Sequence, residues 1–413
     1  MFKALILITV FIIGITSINC SDEMASPKSK NIRQLTELEK SIVESDNNFG
    51  LKLFKRISEA EKDKNLFISP LSVSMALGMT LNGANGSTEE AMKTTLELEG
   101  LNMQQINKSY QSLIELLTNL DPKVVFEIAN SIWYRQEFTF KQEFIDTNKI
   151  YFNAEVRSLN FNSPDAPTII NQWVDDKTHG KIEEIVDSIS SDVVMYLINA
   201  IYFKGIWTYE FEKSQTMDDQ FNLIEGSVVP CKMMSQKGDF KYVETPDFQA
   251  IDLPYGDGDF SMTIFLPKSN KSIDSLIDKF NQTNWNLWIN SFRKCEGTIQ
   301  LPKFTLEYEI TLNNILQALG MAIAFDPDNA DFSGIYSGTE RLFISKVKHK
   351  TFIEVNEEGT EAAAATSVEI VLTAVGGPKF TMRADHPFIF VIRENHSHTI
   401  LFMGKILKPE YLD

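Results

Sequence analysis

The chain has 413 residues, enough for a large core, and carries 56 acidic against 39 basic side chains for a formal charge of −17. A surface this acidic disfavours nucleic acid and heparin-like polyanions as partners, because both are held by clustered Lys and Arg. No Gly-x-Ser-x-Gly elbow, His-Glu-x-x-His pair, glycine-rich phosphate loop or Cys-x-x-Cys motif is present, which leaves the common hydrolase, metalloprotease, nucleotide-binding and redox classes without their motifs.

Residues 1–20 read as a secretory leader: Lys3, a twelve-residue apolar stretch over 4–15, then small and polar residues to Cys20. The stretch is too short to span a bilayer. Cleavage after Cys20 or Ser17 removes Lys3 and leaves 38 basic against 56 acidic groups, a charge of −18. An exported protein without a membrane span is expected. Residues 21–44 read as an N-terminal extension and 45–413 as one domain, since no Pro/Ser/Gly-rich linker or repeat divides them. Cys231 and Cys295 then remain, either as one bridge or as free thiols.

Residues 47–57 space their apolar side chains at helical intervals, and Ser69 followed by Pro70 starts a second helix that Gly83 and Gly86 are predicted to close. Residues 104–120 form a helical stretch whose only base is Lys108. From Val124 strands dominate, interrupted by an amphipathic helix over 166–180. Residues 252–255 and 260–267 alternate as strands, the second with a proline stop. Helices return over 273–280 and 312–319, the latter ended by Gly320. Helices and long strands without regular alternation indicate an α+β fold.

The run from Asn356 to Pro378 has two readings. As a strand, its inner face is Thr360, Ala362, Ala364, Thr366, Val368 and Ile370, small or apolar throughout, and its outer face holds Glu361 and Glu369. As a helix, it has four consecutive alanines behind Glu357 and Glu358. The five histidines offer little chemistry. His396 and His398 flank a hairpin turn rather than a metal site, and His349 lies in a strand-like apolar run. Five Asn-x-Ser/Thr sequons, at Asn85, Asn107, Asn270, Asn281 and Asn395, are candidates for glycosylation.

The 356–378 run resembles the hinge and reactive-centre loop of the serpins, and the rest of the chain is similar to that family in order. The matches are residues 65–74, 126–134, 197–207, 301–304, 344–350, the stretch Thr381-Met-Arg-Ala-Asp-His-Pro-Phe-Ile-Phe390, and 401–409. The resemblance covers roughly residues 45–413. It implies a large central, mostly antiparallel sheet with further sheets, about eight or nine helices, and an exposed loop over about 357–380.

It also implies roles. Glu357 would be a gate residue paired with Lys303 near Trp207, Gly359 the bend, and Thr360 the first inward-facing hinge residue, followed by Ala362, Ala364 and Thr366. Ser69, Ser72, Asn199 and His349 would sit where the central strands part. Counting the family's usual span of about seventeen residues from Glu357 ends at Thr373. The expected scissile bond is therefore Thr373–Ala374, suited to an elastase-like pocket, with Leu372 the competitor for a chymotrypsin-like one. Lys379 and Arg383 come too late for a trypsin-like enzyme. The implied partner is a serine protease held in a covalent complex with a monomeric inhibitor that needs no cofactor or metal. The alternative is a non-inhibitory carrier, chaperone or storage protein of the same fold.

Overall fold

The computed structural model describes residues 33–118, 120–360 and 379–411. The chain opens with α1 (Glu37–Ala60), whose Thr36 and Glu39 form a reciprocal capping box. After the short strand β1 (Leu66–Ile68) comes α2 (Pro70–Leu81), with the Ser69 hydroxyl accepting from Ser72 N and Pro70 in the first turn. This helix ends before Gly83. Rather than closing it, Gly86 at φ +53° opens α3 (Gly86–Thr95), a helix the sequence reading did not separate. Next follow α4 (Met103–Leu117), β2 (Val124–Arg135), α5 (Gln142–Phe152), β3 (Glu155–Leu159) and α6 (Ala166–Lys177). Helix α6 stops three residues short of the expected Gly180, where Thr178 turns the chain by bonding back to Val174 O.

Strand β4 (Met195–Ile206) leads to β5 (Met217–Asn222), β6 (Val228–Glu244), β7 (Phe248–Tyr255) and β8 (Phe260–Pro267). The helix expected over 273–280 is the shorter α7 (Ile273–Ile277), and α8 (Gln282–Asn290) follows as a helix the sequence reading did not find. Strands β9 (Arg293–Pro302) and β10 (Phe304–Thr311) precede α9 (Asn313–Leu316), which passes into a wider turn where Gly320 takes φ +127°. The helix expected over 312–319 is thus regular only in its first part. The last strands are β11 (Lys348–Val355), β12 (Gly359–Thr360), β13 (Phe380–Arg383), β14 (Phe388–Glu394) and β15 (Ile400–Ile406).

Two sheets result. One has nine strands, in the order β1-β15-β14-β8-β7-β6-β9-β13 with β5 on β6; the other has six, in the order β10-β11-β12-β4-β2-β3. All pairs are antiparallel except β2 with β3 and β13 with β9. Strands β14 and β15 are buried along their whole length, which accounts for their nearly unbroken apolar sequence. The main hydrophobic cluster runs continuously from α1 to β15 between the sheets and the helices. A second, smaller cluster lies between α6 and the outer face of β2 and β4, centred on Trp133, Ile170 and Trp173.

Cys231 is a free thiol. It pairs in register with Asp219, whereas Cys295 pairs with Phe240, nine positions further along β6 and about 30 Å away. The two therefore cannot bridge. Among the described residues no helix is long and apolar enough to cross a membrane, and no cluster of three His, Cys, Asp or Glu side chains could hold a metal ion. The proposed leader, residues 1–20, lies outside the described residues.

Candidate functional site at the loop hinge

The six-stranded sheet is held together at its top by two residues. In β12, Gly359 pairs with Ile206 and Thr360 with Gly205 on one side, while Thr360 pairs with Val355 on the other. Gly359 adopts φ +153°, and a Cβ there would stand 2.1 Å from Gly205 O, so only glycine lets the chain enter at this point. Thr360 is 2% exposed, and its hydroxyl lies 2.7 Å from that of Tyr255. Tyr255 stacks on Trp207 with ring centroids 4.4 Å apart. Gly205 makes room for that ring, since a Cβ would come within 2.8 Å of it.

The residues before Gly359 are tied down individually. Glu357 is 6% exposed; its carboxylate accepts from Thr216 Oγ1 at 2.8 Å and pairs with Lys303 Nζ at 3.1 Å. Burial opposes its charge, but hydrogen bonds from its own backbone, Thr216 and Lys303 hold its pKa below the usual value. Glu358 pairs with Lys213 at 2.5 Å. Asn356 organises the turn: its Oδ1 accepts from Glu358 N and Gly359 N, and its carbonyl accepts from Trp207 Nε1 at 3.0 Å.

Among the described residues β4 and β11 bond to β12 but not to each other. The seam between them holds two cavities. A small one of about 20 Å³ lies against Thr360, Phe203, Ile201 and Ile353, and a larger one of about 160 Å³ extends down to Met195, Leu197, Val347 and Ser345, with Ser72 and Ala76 of α2 beneath.

Under this seam sits a buried polar cluster. Ser69 N donates to His349 Nε2 at 3.0 Å, Ser69 Oγ to Leu401 O at 2.8 Å, and Ser72 Oγ to Asn199 O at 3.2 Å. Burial lowers the His349 pKa to about 4, so the ring is neutral and its Nε2 is free to accept. Asn199 donates to Asn130 Oδ1 at 2.6 Å, while its own Oδ1 is buried without a partner. The seven expected residues Glu357, Lys303, Trp207, Ser69, Ser72, Asn199 and His349 are thus brought to one seam. Asn199 joins through Ser72 and Asn130 rather than by a bond to His349.

Sequence reading did not find Tyr255, Asn130, Asn356 or Thr216. A tyrosine, two asparagines and a threonine carry no local signal when their partners come from other strands. Ala362, Ala364, Thr366, Leu372, Thr373 and Ala374 lie outside the described residues. Of the sequons, Asn85, Asn270 and Asn281 are exposed. Asn107 is buried and donates to Asn82, and Asn395 is half-buried with both side-chain polar atoms engaged by Ser261 and Gly258.

Comparison with known proteins agrees with this arrangement. The sequence profile described as Serpin (serine protease inhibitor) matches residues 44–409. Human Serpin B10 is 33% identical over 397 residues, covering 89% of this chain and 100% of that protein. Leukocyte elastase inhibitor A of Rattus norvegicus is 35% identical over 373 residues, covering 87% and 97%. Among solved structures, the thermophilic serpin Tengpin in its native state superposes with a TM-score of 0.82 at 33% identity, covering 93% of this chain and 97% of that one.

Proposed function

Since the chain belongs to the serpin family of serine protease inhibitors, we propose that it traps a serine protease by inserting its cleaved loop into the seam between β4 and β11. The observation that carries this reading is β12: Gly359 is paired with β4 and Thr360 with both β4 and β11, above a seam in which no other described strand lies. Continuing their register would place Ala362 between Phe203 and Ile353, Ala364 between Ile201 and Thr351, and Thr366 between Asn199 and His349. Val368 would then meet Leu197 and Val347, and Ile370 would meet Met195 and Ser345. Each of these neighbours on β4 shares the inward parity of Gly205, so the small side chains enter the tighter upper seam and the larger ones reach the larger cavity. The Thr366 hydroxyl would also meet the unpartnered Asn199 Oδ1.

The resemblance to the serpins implies the sequence of events. A protease attacks the loop and forms an acyl-enzyme; the hinge, freed at one end, zips downward from Thr360. Ten residues from 361 to 370 add about ten ladder hydrogen bonds at roughly 0.5 to 1.5 kcal/mol net each. The attached enzyme is carried along the sheet before water completes hydrolysis. The likeness to an elastase inhibitor and the residues Leu372, Thr373 and Ala374 favour an elastase-like or chymotrypsin-like target cut at Thr373–Ala374 or after Leu372. Export through the leader at 1–20, a single serpin domain over 45–413 and action as a monomer complete the reading.

The test is to mix the protein with elastase and with chymotrypsin and resolve the products on a denaturing gel. A stable covalent band is expected, and mass spectrometry of the released peptide identifies the bond. Clean cleavage without a covalent band would refute inhibition and favour a carrier or storage role.

A further inference from the structure

The chain does not end at β15. Glu410 continues beside the edge strand β10, its carbonyl accepting from Thr305 N at 2.6 Å, and this sets Tyr411 against the top of the sheet. Two contacts of Tyr411 lead directly to the hinge. Its ring faces Lys303 Nζ at 4.1 Å from the centroid, and that ammonium holds Glu357. Its hydroxyl lies 3.3 Å from Glu354 Oε1, an atom that also accepts from Asn356 Nδ2 at 3.1 Å. Asn356 in turn fixes Glu358 N and Gly359 N. One side chain near the carboxyl end therefore steadies both supports of the hinge turn, the ion pair on one side and the asparagine on the other.

We propose that Tyr411 is a positioning residue for the hinge, and that the carboxyl-terminal tail thereby controls how readily the loop enters the sheet. The physical case rests on the two supports being separate. A cation held over an aromatic face loses freedom without losing charge. The Lys303 ammonium, restrained by Tyr411, keeps the Glu357 carboxylate at the pivot about which the strand swings. The hydroxyl restrains Glu354 and, through it, the turn that presents Gly359 to Ile206. A hinge seated in register can begin zipping at once, whereas a loose one must first find it. The contribution to trapping builds on the inhibitory reading above; the effect on the hinge itself does not.

The experiment compares the full chain with Tyr411→Ala and Tyr411→Phe by hydrogen–deuterium exchange. In the alanine variant, exchange at Glu358 and Gly359 should rise by about threefold to tenfold, the scale expected for one cation–π contact and one exposed hydrogen bond. Amides of β14, such as that of Val391, should not change. The phenylalanine variant keeps the ring over Lys303 and should fall between the two. Unchanged hinge exchange in Tyr411→Ala, or a rise matched at Val391 as general loosening would give, overturns the proposal. In a parallel incubation with elastase, Tyr411→Ala should divert a larger share of inhibitor to cleaved product. If the unaltered chain forms no covalent complex, the inhibitory reading fails, while the exchange result still decides the role of Tyr411.

Discussion

Replacing Thr360 by arginine should convert the inhibitor into a substrate. Thr360 is 2% exposed, hydrogen-bonded to a fully buried Tyr255, and paired with Gly205 and Val355 on its two sides. A guanidinium at that place meets no carboxylate, and burying an unpaired charge costs several kcal/mol. That exceeds the roughly 1 to 3 kcal/mol that two ladder hydrogen bonds return. An arginine there therefore unseats β12, and because zipping starts from Thr360, insertion slows by about a hundredfold to a thousandfold. Hydrolysis of the acyl-enzyme then wins. The assay titrates elastase with parent and variant and measures, on a denaturing gel, the fraction of inhibitor in the covalent band against the cleaved band. Thr360→Val serves as the milder control, since it only leaves the Tyr255 hydroxyl bare at a cost of about 1 to 3 kcal/mol. If Thr360→Arg forms as much covalent complex as the parent, the insertion mechanism is wrong.

Thr366→Val should leave the intact protein unchanged but lower the melting temperature of the cleaved form, because Asn199 Oδ1 then stays unpartnered; equal cleaved-form melting temperatures would exclude the register given above. The buried groups His349 and Asp46 should bend the pH profile of stability in opposite directions. His349 has its pKa lowered to about 4, so the unfolded chain takes up the proton first, and about 3 kcal/mol is lost as pH falls from about 6.5 towards 4. Asp46, raised to about 7 by burial despite hydrogen bonds from Ser74 and Tyr110, is protonated first in the folded chain and adds stability as pH falls from about 7 towards 4. Asp46→Asn should therefore give a steeper drop in denaturant midpoint between pH 7 and pH 5 than the parent, and parallel profiles would rule the compensation out. After expression through a secretory pathway, mass spectrometry should find glycan at Asn85, Asn270 or Asn281 and none at Asn107 or Asn395; glycan at Asn107 would require α4 to open.

The start of the hinge at Glu357, Gly359 and Thr360 was legible because its information is local: an acid, a glycine and a small uncharged residue stand within four positions. Strands β7 and β8 were legible for the same reason, since residues 252–255 and 260–267 alternate as strands and a proline stops the second. What escaped the sequence depends on contacts made elsewhere. Gly86 reads as a helix stop, yet its positive φ starts α3 because Asn85 is held by Asp331 and Ser333 from a distant loop. Helix α8 carries two tryptophans whose ring contacts with Phe248, Phe265 and Phe280 decide its place, not its propensity. Asn107 reads as a sequon, but the face of α4 that it occupies is turned towards Asn82. Tyr255 and Tyr411 carry no motif at all; their importance arises only when β7 and the tail are laid against the hinge.

The unfilled seam has a consequence for how copies of this protein behave together. Among the described residues β4 and β11 pair with β12 but not with each other, and strand edges of this kind recognise an extended backbone without asking which molecule it belongs to. If the seam takes up the chain's own loop as proposed, a loop arriving from a neighbouring copy should fit as well, and each copy that donates its loop should still offer its seam. Such head-to-tail pairing does not close on itself, so the product is a growing chain rather than a dimer. Warming that parts the two strands, or a rise in protein concentration, should then favour linear polymers over single copies. On that reading, the seam proposed to trap another protein also sets a ceiling on how concentrated, and how warm, its own solution can be.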